Sequence, residues 1–165
     1  MNPLPGERIA KKLSRAGVCS RREAERWIEA GRITVDGNKI SRPGTKVTPT
    51  SDIRVDGKPI IQPQKVRLWR YHKPRGLLCT NSDPQRRPII FDRLPAELPR
   101  VMSVGRLDFD SEGLLLLTND GMLARRLELP ETGWIRRYRV RVYGTPAKAE
   151  ISTLADGIKI NTFQY

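Results

Sequence analysis

The chain has 165 residues, and its 31 lysine and arginine residues against 18 aspartate and glutamate residues give a formal net charge of +13 at pH 7. The hydrophobic fraction of 38% argues against wholesale disorder. The longest aliphatic run, Leu114–Leu117, is far shorter than the ~20 residues of a membrane helix, and the first residues lack an apolar export segment. Cys19, Cys79 and a single histidine exclude a disulfide framework and a Cys/His zinc site. We expect a cytoplasmic protein without a membrane segment or a metal.

The excess of positive charge is mostly arginine, which accounts for 22 of the 31 cationic residues. A guanidinium group binds phosphate through two parallel hydrogen bonds and stacks on bases, which lysine does not do. The composition therefore favours RNA or DNA as a partner. An ordinary enzyme with a basic surface is the alternative.

The first half of the chain predicts two helices followed by a small sheet. Hydrophobic residues at helical spacing indicate a helix over Glu7–Ala16 that ends at Gly17, and the capping-box pattern of Ser20 and Glu23 begins a second helix that ends at Gly31. Two alternating segments with Asp-Gly turns then predict two hairpins, which span residues 33–40 and 53–60. A short polar stretch, 61–65, suits a linker between two domains at 7–62 and 66–165.

Four arginines crowd the junction of the two predicted helices, where free N–H groups of the second helix also favour an anion. They form either an RNA-binding surface or a solvated face that neighbouring glutamates neutralise. Residues 7–40, above all Leu13–Gly17, Ser20–Ala24 and Gly31–Gly37, resemble the RNA-binding domain first seen in small-subunit ribosomal protein S4. This resemblance implies that the basic second helix binds structured RNA. The RNA-binding residues that we predict are Arg15, Ser20, Arg21, Arg22 and Arg26.

The second half of the chain predicts further strands, two helices and an overall α+β class. Four consecutive aliphatic residues predict that the strand at Leu114–Leu117 is buried on both faces. The other predicted elements are strands at 66–71, 77–80, 101–104, 134–143 and 157–160, and helices near 122–127 and 147–155.

Three carboxylates, Asp108, Asp110 and Glu112, lie in a loop between two predicted strands and between glycines. Loops on rigid strands are common positions for catalytic groups. The spacing alone leaves three interpretations open: solvated acids in a turn, a magnesium site, or a catalytic carboxylate with Arg106 anchoring the substrate.

A family resemblance favours the catalytic interpretation. Gly105–Gly121 resembles the signature of the RsuA/RluB-type ribosomal RNA pseudouridine synthases, and Lys73–Gly76 resembles the first motif of that family. Arg137–Val140 matches the motif that carries an aromatic residue of the active site. The order of an S4-type domain, a linker and this core also matches, so the resemblance covers nearly all of residues 7–165. It implies a mixed, mainly antiparallel sheet for the catalytic domain.

The resemblance implies isomerisation of a uridine to pseudouridine, with Asp108 as the catalytic carboxylate and no cofactor. It also implies that Arg106, Tyr138 and Lys73 bind the substrate. Ribosomal RNA, more specifically large-subunit RNA, or a pre-ribosomal particle is the expected partner of a monomeric enzyme. The alternatives are an RNA-binding module without chemistry and a hydrolase that uses Asp108 and Asp110 as an acid–base pair.

Two further expectations concern Tyr138, from the alternation of side chains along a strand, and the C-terminal end of the chain, from the resemblance. Tyr138, Val140 and Val142 would share one face of a strand, where Tyr138 either stacks on uracil or is an ordinary core residue. Family members continue past the point at which this sequence stops, so we expect the catalytic domain to be incomplete at its C-terminus. The part not represented would supply a basic motif that pairs with the aspartate.

Overall fold

The computed structural model describes residues 6–61 and 64–164. Contacts divide the chain into two compact units, Met1–Gly133 and Trp134–Tyr165. Short helices and antiparallel sheets alternate in the first unit, so the expected α+β class is confirmed. The proposed boundary between domains near residue 62 stays a prediction.

The N-terminal part of the first unit contains two helices and two small sheets. One sheet has the strand order β3-β2-β5-β6, and the other pairs β1 with β4. The elements are β1 (Glu7–Arg8), α1 (Ile9–Arg15), α2 (Arg21–Glu29), β2 (Ile33–Val35), β3 (Asn38–Lys39), β4 (Lys46–Val47), β5 (Ile53–Val55) and β6 (Lys58–Pro59).

Local signals in the sequence explain these elements. The Ser20 hydroxyl accepts a hydrogen bond from the Glu23 N–H (3.1 Å), and the Glu23 carboxylate accepts one from the Ser20 N–H (3.4 Å), which confirms the predicted capping box. Both hairpins turn on an aspartate and a glycine with positive φ, as a two-residue hairpin turn requires. The core between helices and sheet consists mainly of aliphatic residues, including Ile9, Leu13, Ala24, Ile28, Ile33 and Ile53.

The rest of the first unit is built on a three-stranded antiparallel sheet with the order β7-β9-β8. Its core contains Leu77, Ile90, Val101, Leu115 and Leu117. The elements are β7 (Leu68–Lys73), a 3-10 helix (Ile90–Arg93), β8 (Met102–Val104), β9 (Gly113–Thr118), α3 (Gly121–Glu128) and a 3-10 helix (Pro130–Thr132). The predicted strands at 66–71 and 101–104 and the helix near 122–127 are thus confirmed with small shifts.

Two predictions about this sheet are wrong. Residues 77–80 form only an isolated bridge between Leu78 and Ile89, because the chain turns away after the hydrogen bonds of Leu78. Burial of Leu114–Leu117 on both faces is also wrong, since Leu114 is 67% exposed. Alternating side chains direct Leu115 and Leu117 into the core and Leu114 to the opposite face.

The second unit contains α4 (Lys148–Thr153), a 3-10 helix (Leu154–Asp156) and the antiparallel pair β10 (Lys159–Ile160) and β11 (Phe163–Gln164). The predicted helix and final strand are therefore present, but the long strand at 134–143 is not. A strand needs a hydrogen-bonding partner, and no described residue pairs with this segment. Among residues 6–61 and 64–164, no helix has the length and hydrophobicity to cross a membrane.

Candidate active site

The loop between β8 and β9 presents two of the predicted functional side chains to solvent. Leu107 is partly buried against the core of the three-stranded sheet. Its neighbours Arg106 and Asp108 are both exposed. An inward side chain between two outward ones is the alternation of extended backbone. The arginine and the carboxylate are therefore carried on a backbone that Leu107 attaches to the core.

Lys73, at the end of β7, forms hydrogen bonds to the backbone of this loop from inside the protein. Its side chain is fully buried. The ammonium group donates hydrogen bonds to the carbonyl oxygens of Ser111 (2.7 Å), Asp108 (2.9 Å) and Pro74 (3.1 Å), and Phe109 O lies at 3.4 Å. An ammonium group has three donors, so these carbonyls satisfy it without water.

Three further hydrogen-bonding groups fix the backbone of the same loop. The Cys79 thiol donates to Leu107 O (3.3 Å) and accepts from Leu107 N–H (3.4 Å). The Gly76 N–H donates to Phe109 O (2.8 Å), and the Gly105 N–H donates to the Glu128 carboxylate (2.7 Å). Bonds from four distant positions therefore immobilise the backbone, whereas the Arg106 and Asp108 side chains remain exposed.

Substrate binding would require the Lys73 ammonium group to lie at the surface, but the structure places it inside the protein. The ammonium group faces backbone carbonyls inside the protein and is inaccessible to a ligand at the loop surface. Cys79 and Glu128 also fix the loop, and no sequence pattern reveals them, because their bonds join positions 28 and 23 residues apart. The resemblance of Lys73–Gly76 to a family motif was the only signal near them.

The three acidic residues of the loop differ in their charged neighbours. Within residues 6–61 and 64–133, Asp108 and Asp110 form no ion pair, and the Glu112 carboxylate lies 4.0 Å from the Arg75 guanidinium. No three His, Cys, Asp or Glu side chains of the described residues converge as metal ligands would. The positions of the loop acids thus give no support to the magnesium interpretation.

Tyr138 belongs to the second unit and is 67% exposed. It lies in the segment 134–143 that forms no strand, and Val140 and Val142 are also exposed. The strand on which these three side chains would share a face is therefore absent. The role of Tyr138 in stacking on uracil stays a prediction.

The cationic residues of α2 are available at the surface. Arg21, Arg22 and Arg26 are exposed and form no ion pair within the described part of the chain. Arg15 instead pairs with Glu7, and the Ser20 hydroxyl is engaged in the helix cap. The basic surface of α2 is thus supplied by three of the five predicted RNA-binding residues.

Cys19 is buried beside the N-terminus of α2. Burial and, to a lesser degree, the charge of Glu23 raise the pKa of the Cys19 thiol to about 11. Cys19 therefore stays protonated at neutral pH and acts as a core residue.

A basic two-helix module precedes a rigid loop bearing an arginine and an aspartate, and comparison with known families identifies both parts. Residues 7–53 match the S4 domain. Residues 67–163, more than half of the chain, match the RNA pseudouridylate synthase family. The chain belongs to the RNA pseudouridylate synthase family.

Individual relatives agree with this assignment. An uncharacterized RNA pseudouridine synthase of Rickettsia felis is 53% identical over 138 residues, which cover 84% of this chain and 60% of the relative. Ribosomal large subunit pseudouridine synthase B of Escherichia coli K12 is 47% identical over 161 residues, covering 93% of this chain and 55% of that protein. The chain thus spans between half and two thirds of the length of these relatives. A crystal structure of a pseudouridylate synthase superposes on 75% of this chain and 53% of its own, with a TM-score of 0.41 and 25% identity.

Proposed function

We propose that this chain comprises the RNA-binding module and the catalytic loop of an enzyme that converts a uridine of ribosomal RNA to pseudouridine. The observation that carries this proposal is the loop 105–111, whose backbone is fixed by Lys73, Gly76, Cys79 and Glu128 while Asp108 and Arg106 face solvent. A catalytic group benefits from such an arrangement, because holding it in place removes the entropy cost of positioning it at each turnover.

The proposed reaction is an isomerisation, in which the product contains the same atoms as the substrate. The bond between N1 of uracil and C1′ of ribose breaks, a bond between C5 and C1′ forms, and a proton leaves C5 while N1 gains one. No oxidant, reductant or cofactor is needed to balance this step. The Asp108 carboxylate can act either by covalent attack on the sugar or base, or by accepting a sugar proton.

Access to the uridine requires that its base leave the helical stack, which costs a few kcal/mol. We assign to Arg106 the role of holding the flipped nucleotide or filling the gap that it leaves, since its exposed guanidinium lies two residues from Asp108. Tyr138 is assigned to stacking on the uracil, a contact worth ~1–3 kcal/mol.

Large-subunit RNA is the proposed substrate. Its support is the similarity to a ribosomal large subunit pseudouridine synthase, which covers 93% of this chain. Maps of pseudouridines in ribosomal RNA from cells lacking this protein test the assignment. We expect one large-subunit position to lose its modification, and loss of a small-subunit position instead would contradict it.

Release of tritium from RNA labelled at uracil C5 tests the activity, because the reaction removes that hydrogen. The assay uses large-subunit RNA with the 165-residue chain and, in parallel, with the same chain continued to the length of its relatives. Tritium release with pseudouridine in the product supports the proposal. Free uracil would support a hydrolase, and RNA binding without either product in both chains would support a binding module.

Exposed arginines of α2 are expected to determine affinity for RNA and not the rate of chemistry. Replacing both Arg21 and Arg22 by alanine should weaken RNA binding and reduce the slope of log affinity against log salt by roughly 0.9 for each lost phosphate contact on duplex RNA. The rate at saturating RNA should stay near that of the parent, because phosphate contacts position a protein without taking part in the reaction.

Filter binding across a salt series and single-turnover rates measure these two effects separately. Replacing Arg125 and Arg126 by alanine is the matched control, since it removes two adjacent exposed arginines from α3 and leaves the predicted RNA-binding residues intact. A double variant that binds normally but reacts far more slowly would contradict this division of roles.

A further inference from the structure

A cleft beside the catalytic loop has the composition of an anion-binding site. It has a volume of about 560 Å³ and lies between the end of β7, the turn after it and the 3-10 helix that ends at Arg93. Tyr71, His72, Arg75 and Arg93 line it, together with apolar residues such as Leu77 and Pro88. None of the described residues that line it is acidic. A cleft of this size can accept a ligand as large as a nucleotide.

The two arginines of the cleft are available to a ligand. Arg93 is exposed and forms no ion pair within the described part of the chain. Among the described residues, Arg75 has a single carboxylate within ion-pair distance, that of Glu112 at 4.0 Å, and both side chains of that pair are more than half exposed. An exposed pair at this distance contributes little, so a phosphate can replace the carboxylate at small cost.

The wall of the cleft is suited to a nucleotide more than to a free phosphate ion. Tyr71 is half-buried, and burial raises the pKa of its hydroxyl, which remains a neutral hydrogen-bond donor. Aromatic side chains beside cationic groups bind unpaired nucleotides by stacking on the base while the cations bind the phosphate. The exposed apolar surface of Pro88 would have no counterpart on inorganic phosphate.

A backbone hydrogen bond connects the cleft to the catalytic loop. Gly76 lines the cleft, and its N–H donates to Phe109 O (2.8 Å), one residue after Asp108. A nucleotide in the cleft would therefore lie on the structure that also fixes the catalytic aspartate.

We infer that this cleft binds a nucleotide that flanks the target uridine, with its phosphate between Arg75 and Arg93 and its base against Tyr71. The inference rests on the proposed function, since it presumes RNA that is opened around the target. Such a contact would hold the neighbouring strand while the target base leaves the stack, and enzymes that flip bases read flanking nucleotides in this way.

Binding of a fluorescein-labelled oligouridylate of nine nucleotides to the 165-residue chain tests the inference. Replacing Arg75 and Arg93 together by glutamine should weaken this binding by about tenfold and flatten the salt slope by roughly 0.7, as expected for one phosphate contact on a single strand. Arg126→Gln is the control for charge alone: Arg126 is exposed on α3 and lies outside the cleft, and this substitution removes one positive charge where the double variant removes two. Thermal unfolding monitors whether each variant is folded.

The outcomes distinguish binding of a nucleotide in the cleft from nonspecific attraction of RNA to the positive charge of the chain. Parent-like affinity of the double variant would overturn the inference, and so would an equal loss per removed charge in Arg126→Gln. Competition by millimolar inorganic phosphate as effective as competition by the dinucleotide UpU would show an anion site without a nucleotide site. Binding is measured without turnover, so the inference can fail while pseudouridine is formed, and it can hold while the activity test fails.

Discussion

Replacing Asp108 by asparagine is expected to reduce pseudouridine formation on the order of 10³-fold or more, with RNA affinity nearly unchanged. Asparagine has the same shape but neither the negative charge that attacks carbon nor the basicity that accepts a proton. The loop should keep its conformation, because Lys73 and Ser111 bond to the Asp108 carbonyl oxygen and not to its side chain. Tritium release under single-turnover conditions and filter binding measure the two quantities.

Asp110→Asn is the matched control for this variant. It removes the same charge from the same loop, and its side chain forms no ion pair within residues 6–61 and 64–133. We expect it to keep the parental rate. Loss of activity in both variants would favour an acid–base pair, and retention of activity in Asp108→Asn would remove Asp108 from the proposed mechanism.

Replacing Lys73 by methionine is expected to lower the free energy of unfolding by about 3 kcal/mol and to make the loop 105–111 mobile. Methionine fills a similar volume but donates no hydrogen bond, so the carbonyls of Pro74, Asp108 and Ser111 lose their shared donor. Urea unfolding followed by circular dichroism measures the stability. Trypsin cleavage after Arg106, which requires a mobile loop, measures this mobility.

Lys12→Met is the control that separates a specific effect on the loop from a general loss of stability. Lys12 is also buried, and its ammonium group donates to Thr48 O (2.7 Å) and Pro49 O (3.3 Å) in the N-terminal part. It should destabilise the protein without faster cleavage after Arg106 or a slower reaction at temperatures where it is folded. Equal cleavage at Arg106 in the two variants would show that Lys73 has no specific effect on the loop.

The sequence predicts best those features whose cause lies within a few residues. The capping box of Ser20 and Glu23 and the Asp-Gly turns of the hairpins are local, and all are present in the structure. The strand expected at 134–143 depends on a pairing partner elsewhere, so its alternating pattern alone could not establish it.

The candidate site also combines features that a local sequence motif reveals with features that depend on residues far apart in the sequence. Arg106 and Asp108 are recognisable because they lie in one contiguous motif, and the exposure of both side chains agrees with a surface role. The bonds that fix their backbone join Lys73 to Ser111 and Glu128 to Gly105, 38 and 23 residues apart. No periodicity or spacing rule relates such positions, so the buried location of Lys73 required the structure.

The four-stranded sheet of the N-terminal part has unusually short edges. Its outer strands, β3 and β6, are two residues long and carry Lys39, Lys58 and Pro59. A proline cannot donate a backbone hydrogen bond, and a lysine at an edge resists alignment with a second copy of the same strand. A highly charged module that gathers on a polyanion reaches high local concentrations, where longer edges would invite strand-by-strand aggregation. Molecules of this chain held at high local concentration are therefore protected from polymerising through this sheet.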